Sequence, residues 1–152
     1  MKPIFPLAVV GGLTALVAAC APPGAYRTRA DLVSDPSACA AKRFEVYFDQ
    51  DQARLTPAAR EAVRLTAAQL QGCDVTRIQV LGLADARSGT AAANQSLSER
   101  RARSVAEALA AVGLPAPAFE VAAAGADGAV VNGVNDPLRR RTEVLIEAAP
   151  RR

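Results

Sequence analysis

The apolar and polar positions in the first half of the chain predict a strand, a helix and a second strand. Phe44–Phe48 alternates and is rich in aromatic residues, which is typical of a strand. Thr56 followed by Pro57 predicts a helix start, because a hydroxyl can cap the first turn and Pro needs no partner there. That helix should end at Gly72. The apolar run Val75–Leu83 then predicts a well-buried strand.

The second half predicts one further helix and two further strands. Ser96–Glu99 has the pattern of a capping box, so we expect the second helix to begin there and to end at Gly113. Phe119–Ala123 and Thr142–Ala148 read as strands, and Gly125–Asn135 reads as an irregular loop. The order βαβαββ predicts an α+β sandwich, with two helices packed on one face of a mixed four-stranded sheet.

The first residues have the layout of a bacterial export signal. Lys2 precedes the apolar run Ile4–Ala19, which is short and interrupted by Gly and Pro. Leu16–Cys20 resembles a lipobox, which predicts that Cys20 is diacylated after cleavage, and two acyl chains hold a protein firmly on a bilayer. Ala21 is compatible with transfer to the outer membrane.

These patterns divide the chain into three parts. We expect a lipoprotein signal peptide over residues 1–19, a lipidated Cys and tether over 20–43, and a folded domain over 44–149. The predicted location is the outer membrane, with the domain in the periplasm. Such a protein is expected to meet no nucleic acid.

Composition narrows the function classes. The net charge of +3 becomes +2 when Lys2 is removed with the signal, which is too small to indicate a polyanionic partner. The chain has no His, so His-based catalytic triads and general bases are excluded. Asp49 and Asp51 are better explained as a solvated turn than as paired catalytic carboxylates. We therefore expect that the protein is not an enzyme and that it has no metal site and no cofactor.

Two cysteines remain once Cys20 is set aside. Cys39 and Cys73 are an even pair in a chain predicted to be exported to an oxidising compartment, so a disulfide between them is favoured. Two unpaired thiols are the alternative. A zinc site is disfavoured, because two Cys at this spacing form no zinc pattern.

One residue of the second predicted helix breaks its pattern. Arg101 points within about 40° of Leu97 when successive residues are placed about 100° apart, so it falls inside the apolar arc. The arc is formed by Leu97, Val105, Ala108, Leu109 and Val112. An inward-facing Arg needs a partner, because an unpaired buried charge is costly.

Asp85 is the nearest candidate for that partner. It lies just past the end of the predicted strand Val75–Leu83, and we expect it to meet Arg101 in an open pocket beneath the loop Ala86–Gln95. The pair is either purely structural or a binding site for a zwitterion, in which Asp85 takes an ammonium and Arg101 a carboxylate.

Four segments together resemble the OmpA-like domain family. Val46–Pro57 is similar to its opening strand and helix start, and Gly82–Asp85 (GLAD) to its G-H-T-D motif. Asn94–Val105 matches N-x-x-L-S-x-x-R-A-x-x-V, and Arg139–Ile146 resembles its closing N-R-R-V-E-I. The resemblance covers about 100 residues in the right order.

The resemblance implies a peptidoglycan-binding domain. It implies that Asp85 and Arg101 bind diaminopimelate in the stem peptide of the wall, and that Asn94 lies beside this ligand. Arg140 would support the site or only brace the last strand. Together with the lipobox, it implies a lipoprotein that ties the outer membrane to the wall, within an envelope complex that the sequence does not identify.

Departures from the family pattern support an alternative. Leu83 and Ala84 stand where the family has His and Thr, which removes a hydroxyl near the ligand. The loop after Asp85 is about one residue longer than usual, and the family's third helix is reduced to a loop around Asn135–Pro137. The alternative is a structural or interaction lipoprotein of the same fold, with lost or weakened wall binding.

Overall fold

A computed structural model describes residues 39–87, 89–115 and 118–151 of the chain. The predicted signal peptide, Cys20 and the tether up to residue 38 lie outside the described residues. The elements are β1 (Lys42–Tyr47), α1 (Pro57–Gln69), β2 (Cys73–Gly82), α2 (Ala91–Ala111), β3 (Phe119–Ala123), β4 (Val130–Val131), β5 (Val134–Asn135), a 3-10 helix (Pro137–Arg139) and β6 (Arg141–Pro150).

The main sheet has four strands in the order β1-β6-β2-β3. The last strand, β6, lies in the middle and runs antiparallel to both β1 and β2, whereas β2 and β3 are parallel. Two helices pack against this mixed sheet, as the sequence predicted. Buried residues alternate along β6, where Thr142, Val144 and Ile146 face the helices.

The core between sheet and helices is aliphatic, because the chain has few aromatic residues. Strand residues Ile78, Val80 and Ile146 pack with Val105 and Leu109 of α2. All five are at most 1% exposed. The core fixes the rotation of α2 about its axis and so decides which of its side chains face the end of β2.

The first helix begins where its sequence indicated and the second does not. Thr56 caps α1 by accepting a hydrogen bond from the Ala59 amide. In α2 the cap is Thr90, which accepts from the Ala93 amide, so the prediction of a start at Ser96 is wrong. The segment between Thr90 and Ser96 is rich in Ala, the strongest helix former, and it adds more than a turn to the start of the helix.

The predicted irregular loop Gly125–Asn135 contains a small hairpin. Val130 pairs with Asn135 and Val131 with Val134 across a turn made by Asn132 and Gly133. Both turn residues have positive φ, 53° and 79°, which is the conformation that the tight turn of a two-residue hairpin loop requires.

Cys39 and Cys73 form a disulfide with Cα atoms 5.6 Å apart, as favoured from the sequence. Both residues are buried. The bond fastens the chain just before β1 to the first residue of β2. None of the helices in the described part of the chain is long and apolar enough to cross a membrane.

Candidate functional site

Arg101 lies on the buried face of α2 and is 0% exposed, as its place in the apolar arc predicted. Its guanidinium donates three hydrogen bonds to backbone carbonyls. Nε donates to Gln52 at 2.8 Å, Nη1 to Leu83 at 2.9 Å and Nη2 to Asp49 at 3.2 Å. The group also lies over the ring of Phe48, with its central carbon 5.1 Å from the ring centroid. These contacts replace the water that a buried cation loses.

A close helix-strand contact brings Arg101 to the end of β2. A Cβ added to Gly82 would lie 2.0 Å from the backbone oxygen of Ser98, so only Gly allows α2 to approach β2 this closely. Ser98 is buried beside this contact. Its Oγ donates to the Gln95 carbonyl and accepts from the Gly125 amide at 3.0 Å, which ties α2 to the loop after β3.

Asp85 lies three residues past the end of β2 and is also 0% exposed. The preceding backbone is fixed, because the Leu83 amide donates to the Arg141 carbonyl and the Ala84 amide to the Gly125 carbonyl. Its Oδ2 accepts from Arg140 Nη1 at 3.1 Å. The side chain of Arg140 is 28% exposed.

Asp85 and Arg101 interact electrostatically. Burial lowers the pKa of Arg101, and the negative charge of Asp85 opposes that shift. The positive charge of Arg140 lowers the same pKa further. The site therefore contains one carboxylate and two guanidinium groups that interact through their charges.

Asn94 belongs to α2 rather than to the loop before it. Its side-chain nitrogen, Nδ2, donates a long hydrogen bond of 3.5 Å to the Gly89 carbonyl, and the residue is 4% exposed. Its buried Oδ1 has no hydrogen-bond partner among the described residues. An unsatisfied buried acceptor is costly, so this oxygen is suited to a donor supplied by a ligand or by water.

The residues that the structure describes do not hold Asp85 and Arg101 in an open pocket. Both are 0% exposed, and Arg101 already donates to three carbonyls. The physical reason is that both charges need partners at once, and the loop after β1 and Arg140 supply them. Access to Asp85 requires the groups that cover it to move.

Sequence reasoning did not find several residues that build this site. The carbonyls of Asp49 and Gln52 leave no signal in a sequence, because any residue type carries one. Asn135 Oδ1 accepts from the Ala86 amide at 2.8 Å and so holds the chain just after Asp85, which local pattern did not reveal. Gly82 was noticed only as part of a motif. Among the described residues, no cluster of His, Cys, Asp or Glu could hold a metal ion.

Residues 47–142 match the model of the OmpA family. The chain belongs to the OmpA family. Outer membrane protein A of Escherichia fergusonii is 34% identical over 110 residues, which cover 71% of this chain and 45% of the relative. Outer membrane protein A of Escherichia coli O157:H7 has the same identity, with 32% of its length covered. The chain thus spans less than half of these curated relatives.

Solved OmpA-like domains share the fold. The peptidoglycan-associated lipoprotein from Burkholderia pseudomallei is 26% identical with a TM-score of 0.59, covering 70% of this chain and 91% of that one. The OmpA-like domain of FopA1 from Francisella tularensis (23% identical, TM-score 0.60, 72% and 73% covered) shows the fold alone. So does the C-terminal domain of Helicobacter pylori MotB (16% identical, TM-score 0.58, 70% and 84% covered). The family and the fold expected from the motifs are confirmed.

Proposed function

We propose that the domain binds peptidoglycan non-covalently through the diaminopimelate of its stem peptide, and that a lipid on Cys20 anchors the protein in the outer membrane. The observation that carries this proposal is that Asp85 and Arg101 are both buried and interact through their charges, while Asn94, on the same helix as Arg101, has a buried Oδ1 with no partner among the described residues. Membership of the OmpA family and similarity to a peptidoglycan-associated lipoprotein support it. The protein would thereby tie the outer membrane to the wall.

The charges of the site match a ligand that carries an ammonium and a carboxylate on one carbon. Asp85 would accept the ammonium and Arg101 would donate to the carboxylate. A guanidinium has five N–H groups, and three of them are directed at carbonyls. Two N–H groups therefore remain for a ligand without loss of the bonds that hold Arg101. Asn94 Oδ1 would accept from a ligand N–H.

Burial of the two charges favours a second candidate function. A buried carboxylate and a buried guanidinium that already have partners within the protein can have a purely structural role. On this alternative the protein is an interaction lipoprotein within an envelope complex, and its wall binding is lost or weak. Leu83 and Ala84, in place of the family's His and Thr, also favour it.

Co-sedimentation with purified sacculi separates the two functions. The unlipidated mature chain should sediment with sacculi, and the Asp85→Asn variant should remain in the supernatant. Asp127→Asn is the matched control, because it also removes one carboxylate but lies exposed outside the site. Circular dichroism must show both variants folded. A wild-type protein that stays in the supernatant would overturn the proposal of wall binding and leave the alternative.

We propose that the domain acts by binding and not by catalysis. The absence of His from the chain leaves no His-based triad or general base. Soluble wall fragments incubated with the protein should keep their masses. The appearance of hydrolysed fragments would overturn this part of the proposal.

A further inference from the structure

The site contains one positive charge more than its carboxylate neutralises. Arg140 Nη1 donates to Asp85 Oδ2 at 3.1 Å, and Arg101 interacts with both residues through their charges. Asp51 and Arg100 also act on Arg101, with opposite signs, so they oppose each other's effect on this imbalance. A ligand that supplies a carboxylate would correct it.

Of the two guanidinium groups, Arg140 is the one that can leave. Arg101 is fully buried and donates to three carbonyls, whereas the side chain of Arg140 is 28% exposed. In the described part of the chain the Nε of Arg140 has no partner. Its side chain is thus held mainly by Asp85.

The backbone of Arg140 is fixed while its side chain is loosely held. Its amide donates to the Pro137 carbonyl at 3.3 Å, and its carbonyl accepts from the Phe48 amide at 2.9 Å. The residue joins the 3-10 helix to β6. The guanidinium can therefore turn away from Asp85 by rotation of side-chain bonds alone, with no change in the sheet.

We infer that Arg140 determines which ligands the site accepts: a ligand ammonium replaces the Arg140 guanidinium on Asp85, and the released guanidinium binds a ligand carboxylate. This inference rests on the proposed function and deepens it. A plain amine would displace Arg140 and add a further positive charge to the site. A ligand that carries both groups replaces one ion pair by two, so Arg140 selects zwitterionic ligands against amines.

The test compares two probes that share their amines. meso-Diaminopimelate carries two ammonium and two carboxylate groups, whereas 1,5-diaminopentane has the ammonium groups alone. We expect the wild-type mature chain to prefer diaminopimelate in calorimetric titrations. In Arg140→Gln the competitor on Asp85 is removed, so the affinity for 1,5-diaminopentane should rise about tenfold, the effect of one charge-assisted hydrogen bond. The preference for diaminopimelate should fall.

Arg139→Gln is the matched control. It removes the same charge from the adjacent residue, but the hydrogen bond that Arg139 donates goes to the backbone carbonyl of Asp127. It should leave the ratio of the two affinities unchanged. If Arg140→Gln does not fold, Arg140→Lys provides the measurement, because its ammonium cannot form the planar fork that bridges two carboxylate oxygens, so the ratio should change in the same direction but less.

The possible failures are distinguishable. A wild-type protein that binds neither sacculi nor diaminopimelate overturns the proposed function. A wild-type protein that binds diaminopimelate, with an Arg140→Gln variant whose affinity ratio is unchanged or whose affinity for both probes falls, overturns only the role assigned to Arg140.

Discussion

Arg101 places a charge inside an aliphatic core, and its surroundings explain how the fold tolerates it. Three carbonyls, the face of Phe48 and the charge of Asp85 together replace the lost hydration. Two of the carbonyls belong to the turn after β1, so the side chain also joins α2 to that turn. Arg101 is therefore a structural residue whether or not a ligand binds.

Removal of the Arg101 side chain should destabilise the domain strongly. Arg101→Ala removes three hydrogen bonds to carbonyls, of which the bond to Leu83 is buried, and leaves Asp85 with less compensation, so we expect a loss of about 3–5 kcal/mol in the free energy of unfolding. Arg101→Lys keeps the charge but cannot reach three carbonyls at once, and about 1–3 kcal/mol is expected. Urea unfolding measures both, as a lower midpoint at an unchanged slope.

The control for this prediction is the adjacent Arg100. It is exposed and donates to the Ser96 hydroxyl, which is also exposed, so Arg100→Ala should change stability by at most about 0.5 kcal/mol. Similar losses in Arg100→Ala and Arg101→Ala would contradict the assignment. The same measurement is needed to interpret wall binding, because loss of binding in an unfolded Arg101→Ala variant would not show that Arg101 contacts the ligand.

The helical pattern was enough to single out Arg101, since a charge in an apolar arc is visible in the sequence alone. The expected closeness of the end of β2 to the following helix predicts its proximity to Asp85, and its burial follows from the helical pattern. Its hydrogen bonds to Gln52 and Asp49 do not, because they are backbone contacts between residues about 50 positions apart. The hydrogen bond from Arg140 to Asp85 joins residues 55 positions apart, so local sequence pattern could not predict it either.

At the level of elements, the start of α2 gives a prediction that distinguishes Thr90 from Ser96 as the residue that caps the helix. Thr90 accepts from the Ala93 amide, so Thr90→Ala should cost about 0.5–2 kcal/mol of stability. Ser96 lies inside the helix and is exposed, so Ser96→Ala should cost at most about 0.5 kcal/mol. Thermal unfolding of the two variants compares them directly. A larger loss in Ser96→Ala would restore the capping box as the helix start.

The contact between α2 and β2 gives a second element-level prediction. A Cβ at position 82 cannot be relieved by side-chain movement, because it meets the backbone oxygen of Ser98. Gly82→Ala should therefore push α2 away from the sheet and cost about 1–3 kcal/mol. Since Arg101 moves with α2, sacculus binding should fall in the same variant. Gly72→Ala is the control for a general effect of replacing Gly. No atom lies within 4 Å of a Cβ added at this position, so the substitution strains only the backbone, through the positive φ of 85°.

The remaining element-level differences have local explanations. The β4-β5 hairpin was missed although Asn132-Gly133 between short apolar runs is a recognised hairpin signal. Strands of two residues are too short to show alternation, so composition made the segment read as a loop. β1 and β2 begin two residues before their predicted starts and each ends one residue early, whereas β6 extends beyond both predicted ends. The extensions occur because pairing in the sheet continues past the apolar positions.

Across the whole molecule, the order of the strands is the property that local pattern could not supply. β1 and β2 are the first two strands, yet they are separated in the sheet by β6, the last one. Long-range pairing of this kind depends on which edges fit together after the helices pack. The order of the elements predicted a mixed four-stranded sheet with two helices on one face, but not the order of the strands within it.

The disulfide acts at the same scale, because it closes a loop that contains β1 and α1. Cys39 and Cys73 are 34 positions apart, and closing a loop of this length should stabilise the fold by roughly 3–4 kcal/mol through the unfolded chain. Reduction with dithiothreitol should therefore lower the urea midpoint of the wild-type domain markedly. A Cys39→Ala, Cys73→Ala double variant should start near the reduced wild-type value and be insensitive to the reagent. If reduction leaves the midpoint unchanged while mass spectrometry shows free thiols, the cross-link contributes little. The tie between the start of β1 and β2 would then be maintained by β6, which pairs with both strands.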